Sequence, residues 1–240
     1  MADTGHAKNV ANFETVLIIL VGLGAAYNPS QTLIMLAALQ ALLTEAKAAI
    51  AAVKAAEAAE TIAVDEREAE FESIGKLAVS AKQAAEVDVN DAAFTKDLTA
   101  ITRKFYGGKA GGKSEAKTVE DEPPPETRSV SQRSYDSLTG HFASLIELLK
   151  TRSEYKTTDA GVSIAALEAR LARLEAVNNA AKATIAASGN AQDARDEILY
   201  NPETGVLKRV FLIKKQIGRV PGKQSAAYQQ INALQFRTVK

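Results

Sequence analysis

Gly107-Gly108-Lys109-Ala110-Gly111-Gly112-Lys113-Ser114 satisfies the bare pattern G-x-x-x-x-G-K-[ST] of a phosphate-binding loop. That chemistry needs an apolar strand before the loop and a helix after it, so that backbone amides face the phosphates. Here Arg103-Lys104-Phe105-Tyr106 stands where the strand belongs. After Ser114 comes EAKTVEDEPPP, which cannot make the capping helix. A Gly/Lys-rich linker is the expectation, with no nucleotide site. Metal chemistry finds little more. The two histidines, His6 and His141, lack His or carboxylate partners at i+3 or i+4, and no Glu-x-x-His pair exists. The chain has no cysteine, which excludes disulfides and thiol catalysis. No G-x-S-x-G is present, and no His stands beside a plausible Ser and acid. The expectation is therefore no catalytic residue, no metal and no cofactor.

Charged residues are more informative. Asp65 with Arg67, and Asp193 with Arg195, recur 128 residues apart. A repeated pair of this kind serves either a ligand at a pseudo-symmetric interface or the register of helices, and register is the expected role. Glu66, Glu68, Glu70 and Glu72 surround Arg67, but spacing by two spreads them around a helix and disfavours calcium. Lys208, Arg209, Lys214 and Lys215, followed by Arg219, interleave with Val206, Leu207, Val210, Phe211, Ile213 and Ile217. This is a basic amphipathic helix, able to meet a protein or an anionic surface. Balanced overall charge argues against nucleic acid.

These residues belong to a chain that repeats itself. At an offset of 128, Leu17, Ile18 and Leu20 fall on Leu145, Ile146 and Leu148, and Tyr27 falls on Tyr155. Leu39, Leu43, Lys54, Asp65 and Arg67 also recur, with no gap needed from Phe13 to Phe71. Of 18 identities in those 59 positions nine are alanine, so the other nine carry the argument. The reading is one helical module used twice. Tyr27 and Tyr155 each follow the first helix of a copy, where a packed ring with its hydroxyl at the turn is expected.

The expected fold is all-α: duplicated antiparallel helical-bundle modules with long Ala-rich helices. Residues 1–105 form the first module, 106–134 a flexible linker rich in Gly, Pro and charge, and 135–240 the second. Ser30–Glu86 contains no Pro and is expected as one continuous or kinked helix, with a hairpin near Glu60–Val64 as the alternative. In the second copy Ser188-Gly189-Asn190 is a better turn or kink signal, but a long helix is expected over about 160–199, interrupted by Tyr200–Gly205, which reads as an insertion. Small residues along Ala46–Ala63 suit close helix approach. Val16–Ala26 is too short to span a bilayer, which needs roughly 20 apolar residues, and reads as a core helix. The expected compartment is the cytoplasm, with export as the alternative if residues 16–26 act as a signal.

Charge separates by half. Residues 1–105 carry 9 basic and 14 acidic groups, and residues 135–240 carry 15 and 10. Such polarity favours docking of the halves or head-to-tail contact between chains. The Tyr-Asn-Pro turn leading into Leu36-Ala37-Ala38-Leu39-Gln40-Ala41-Leu42-Leu43, with Ile198-Leu199-Tyr200-Asn201-Pro202-Glu203-Thr204-Gly205-Val206, resembles an uncharacterised family of bacterial helical proteins of about this length, found mainly in Bacteroidetes. The resemblance covers most of the chain and rests on turns and core positions. It implies a helical bundle and no activity. The high alanine content departs from that family's pattern. The expected function is a non-enzymatic structural or protein-interaction protein, self-associating or binding another protein. A small-ligand-binding bundle and a membrane-active helical protein are the alternatives.

Overall fold

The computed structural model describes residues 3–106 and 133–238. The Gly107–Ser114 loop and nearly all of the 106–134 linker lie outside the described residues. Among these residues the regular structure is entirely helical, so the chain is all-α. Eight α-helices follow in order: α1 (Asp3–Gly22), α2 (Leu36–Glu72), α3 (Ile74–Val89), α4 (Ala92–Phe105), α5 (Tyr135–Lys150), α6 (Ile164–Tyr200), α7 (Val206–Ile217) and α8 (Ala226–Ala233).

No hairpin occurs at Glu60–Val64: α2 runs through it and ends at Glu72. Only Ser73, itself near helical dihedrals, separates it from α3, so the expected long helix is kinked there. The turn or kink signal at Ser188-Gly189-Asn190 does not interrupt the long helix expected over about 160–199, and α6 runs through it. One glycine inside a helix costs only about 1 kcal/mol relative to alanine, and Ser188 is buried where it packs. The break falls at Asn201, within the expected interruption Tyr200–Gly205, where the Asn201 side chain accepts from the Glu203 and Thr204 amides at 2.8 and 3.0 Å. Gly205 closes that turn. A Cβ there would stand 2.7 Å from the Asn201 nitrogen, so no side chain fits. The small residues of Ala46–Ala63 do not chiefly serve close packing. Ala48, Ala51, Ala52, Ala55, Ala58 and Ala59 are exposed, and their contribution is helix propensity. The helical run Leu36–Val89 contains a window apolar and long enough to cross a membrane by composition alone, only 22% of it buried.

The chain divides into two compact units that differ from the modules expected at 1–105 and 135–240. One comprises residues 1–61 and 183–240, the other residues 62–182. The reason lies in the long helices, whose ends belong to different cores. In the first unit, Leu39, Leu42, Ala46 and Ile50 of α2 join Phe13, Val16, Leu17 and Leu20 of α1, Leu199 of α6 and Val206, Val210, Ile213 and Ile217 of α7. Val16, Leu17 and Leu20 thus lie in a packed core, whereas Ile18 and Val21 are exposed and α1 ends at Gly22, so only part of Val16–Ala26 is core. In the second, Phe71 ends α2 among Ala78, Ala81 and Ala85 of α3, Phe94 and Leu98 of α4, and Phe142, Leu145, Ile146 and Leu149 of α5. Leu167, Leu174 and Val177 of α6 complete it. In this unit acids of the first half meet bases of the second. Glu66 and Glu70 bind Arg173, Glu70 also binds Arg170, and Asp91 binds Arg152 at 2.9 Å.

α2 and α6 are both 37 residues long and begin 128 residues apart. The single 3-10 turns Thr32–Ile34 and Ala160–Val162 keep that offset. α3 and α7 end at Val89 and Ile217, also 128 apart, so the turn at 201–205 replaces helix and is not an insertion. In α1 and α5 the ungapped pairing is off by one. The buried set Phe13, Val16, Leu17, Leu20 corresponds to Phe142, Leu145, Ile146, Leu149, an offset of 129.

Each tyrosine after the first helix closes its turn. Tyr27 donates its hydroxyl to the Ile34 carbonyl at 2.7 Å, and Tyr155 donates to the Val162 carbonyl at 2.5 Å. Burial pushes both phenols up from 10.0 to about 12. Their folded pKa exceeds the unfolded one. The stability they contribute is therefore full below pH 10.0 and is lost as pH rises towards about 12. The Tyr27→Phe, Tyr155→Phe double variant should lose about 1 kcal/mol per site at neutral pH. It should also show a shallower alkaline decline. Urea midpoints at neutral pH and through the alkaline window check both, and an unchanged alkaline slope would refute the assignment.

Candidate interaction surface

α7 is amphipathic. Val206, Val210, Ile213 and Ile217 follow i, i+4, i+7, i+11 and face the first unit's core. The other face carries Lys208, Phe211, Lys215 and, just beyond, Arg219. The C-terminal segment is laid beside this helix by two asparagines of α1. Asn9 donates to the Arg237 carbonyl at 2.7 Å and accepts from the Arg237 amide at 3.2 Å, and Asn12 donates to the Gln235 carbonyl at 2.8 Å. Ser225 caps α8 by accepting from the Tyr228 amide.

Two open grooves result, joined at Phe211 and Lys214. One, of about 510 Å³, has Leu207, Val210, Leu234 and Phe236 along it, with Arg237 at its edge. The other, of about 480 Å³, runs past Lys215, Gly218 and Arg219 to Lys223 and Tyr228. Among the described residues no carboxylate lines either groove. Phe211 is 52% exposed, and the Lys215 ammonium sits 4.4 Å from its ring centre. Burial holds Lys214 below its ordinary pKa, since its nearest polar contact is the Leu234 carbonyl at 3.5 Å. A partly desolvated ammonium facing carbonyl oxygen is stabilised by an arriving anion. The sequence has a matching signal: from Thr204 to Lys240 there are eight basic residues and no acidic one. Phe236, Arg237 and Tyr228 enter the surface only through the fold.

Of the charged residues singled out in the sequence, Lys214 and Lys215 line the grooves and Lys208 lies on α7 without lining either. Arg209 does something else. Its guanidinium donates to the carbonyls of Leu33, Ala38 and Thr204 at 3.1, 3.0 and 2.9 Å, tying α7 to the start of α2. Arg67 lies 4.1 Å from the Tyr135 ring centre, so it joins α2 to α5. Arg195 is buried and binds its neighbour Asp196 at 2.8 Å. Asp65 and Asp193 are exposed, and neither pairs with the arginine two residues on. Arg67 thus meets a second helix, Arg195 pairs within its own helix, and both aspartates stand exposed.

His6 lies within the first turns of the chain's first helix. It is buried in α1, with Nδ1 2.8 Å from the Tyr200 hydroxyl and 3.8 Å from the Asp196 carboxylate. Asn9 donates to the same hydroxyl at 3.2 Å. This cluster holds α1 on the end of α6. Among the described residues no group of three or more His, Asp or Glu side chains is placed to hold a metal ion.

No family model matches the chain, and no curated protein or solved structure matches it. The likeness of its turns to a bacterial family therefore rests on those motifs alone.

Proposed function

We propose that this chain is a non-enzymatic helical scaffold, built from one duplicated module, that works by protein–protein contact including self-association. The duplication is supported by element spacing of 128 in the long helices and their turns. Each compact unit then combines the first part of one copy with the last part of the other. The interaction role is carried by one observation: a cationic, apolar-floored surface on α7 with no carboxylate along it among the described residues. The first unit has 12 Lys and Arg against 9 Asp and Glu, a balance of +3. The second has 17 against 20, a balance of −3.

Light scattering coupled to size exclusion tests this reading. At low ionic strength the mass should exceed that of one 25.5 kDa chain and grow with concentration. At about 1 M salt, where the screening length is about 3 Å, it should return to one chain. A single-chain mass at every concentration and salt would refute self-association. Exposed Phe211 and Val220 beside Lys215 and Arg219 support a second reading, binding at an anionic membrane. Flotation with phosphatidylserine vesicles tests it, and absence from the lipid layer would remove it.

A further inference from the structure

The five acids of α2 between Asp65 and Glu72 divide between two faces. Glu66 and Glu70 turn to Arg173 and Arg170 of α6. Asp65, Glu68 and Glu72 lie at i, i+3 and i+7, exposed, and none has a cation in ion-pair range. Ile62, three residues before Asp65, is on the same stripe and 68% exposed. A second, cationic surface stands unpartnered on α7. Its cations Lys214, Lys215, Arg219, Lys223 and Arg237 form no ion pair among the described residues. Its floor, Leu207, Val210, Phe211, Leu234 and Phe236, is apolar.

Resting on the self-association reading, we propose that the α2 face of one copy, Ile62 with Asp65, Glu68 and Glu72, docks in the α7 groove of a second copy. Size and charge both match. Asp65 to Glu72 spans about 10 Å of helix and Phe211 to Arg219 about 12 Å, at 1.5 Å per residue. An isoleucine followed by carboxylates at helical spacing presents an apolar anchor and an acidic edge, the pattern by which a helix enters a groove. The groove offers the apolar floor and the cationic rim. Both surfaces are present on each copy and the two differ, so the contact is heterologous. Each chain then gives one face and receives another.

Reciprocal charge reversal tests the pairing. Sedimentation velocity is run on wild type, on Asp65→Lys/Glu68→Lys, on Lys215→Glu/Arg219→Glu and on an equimolar mixture of the two variants, with circular dichroism confirming the fold. Wild type should associate at low ionic strength. Each variant alone should associate at least about tenfold more weakly. The mixture should regain association, because each reversed surface then meets its complement. Wild type that associates while either variant matches it would overturn this docking and leave the self-association reading intact. Two weakened variants whose mixture stays monomeric would also overturn it, because other charges would then be responsible. A monomeric wild type would remove both.

Discussion

Phe142→Ala should lower stability by about 3–5 kcal/mol and the thermal midpoint by about 10 °C. Phe142 is fully buried, its ring edge-on to Phe105 at 6.5 Å between centroids, in a core shared by α3, α4, α5 and α6. Truncation removes an aromatic ring and leaves a cavity that helices packed on Leu145, Ile146 and Leu149 cannot readily close. Thermal melting followed at the helical band and by tyrosine fluorescence is the check. The absence of tryptophan makes tyrosine the reporter in both units. The two signals should fall together, since α2 and α6 each run unbroken from one unit into the other. An unchanged midpoint would place the ring outside the core, and separated transitions would mean the helices do not couple the units.

Arg209→Ala should cost about 3 kcal/mol, since a charged donor spans three backbone carbonyls. The carbonyls of Leu33 and Ala38 stand where α2 begins, and Thr204 ends the turn before α7. Burial works against the guanidinium charge, and Glu45 partly offsets this. Arg209→Lys should recover only part of the loss, because one ammonium cannot serve three divergent acceptors. Lys215→Ala, at an exposed site two turns further on, should change stability by less than about 0.5 kcal/mol. Urea denaturation of the three variants decides it. Equal stability of Arg209→Ala and Lys215→Ala would mean Arg209 is a surface charge and returns it to the interaction surface.

That contrast explains why the candidate surface was only partly legible. A basic helix between hydrophobic positions announces itself through charge and spacing, and Lys214 and Lys215 were found that way. Spacing does not tell which cation faces backbone oxygen, because Leu33 and Ala38 are more than 170 residues from Arg209. Phe236 and Arg237 were invisible for the same reason: Asn9 and Asn12, at the other end of the chain, hold them beside α7. The Asp/Arg pairs misled by adjacency. Two residues apart on a helix, their side chains diverge by about 200°.

The register of the first helices is the clearest case of local similarity failing. Leu17, Ile18 and Leu20 coincide with Leu145, Ile146 and Leu148 in identity, yet Ile18 and Val21 are 67% and 53% exposed while Ile146 and Leu149 are buried. Six residues connect Leu20 to Tyr27, but five connect Leu149 to Tyr155. The added residue turns the helix by about 100° relative to its tyrosine staple, and apolar identity cannot report that rotation.

By itself the sequence determined the helical class, the presence of two long helices and the tyrosine-closed turns. These depend on residue propensity and on contacts within a few positions, and they are written locally. Tertiary structure decided which helix ends share a core, which face of α1 is buried and which arginine binds backbone. Those outcomes depend on apolar surfaces far apart in the chain finding one another. Burial rewards the best total packing, whichever half of the sequence supplies the residues.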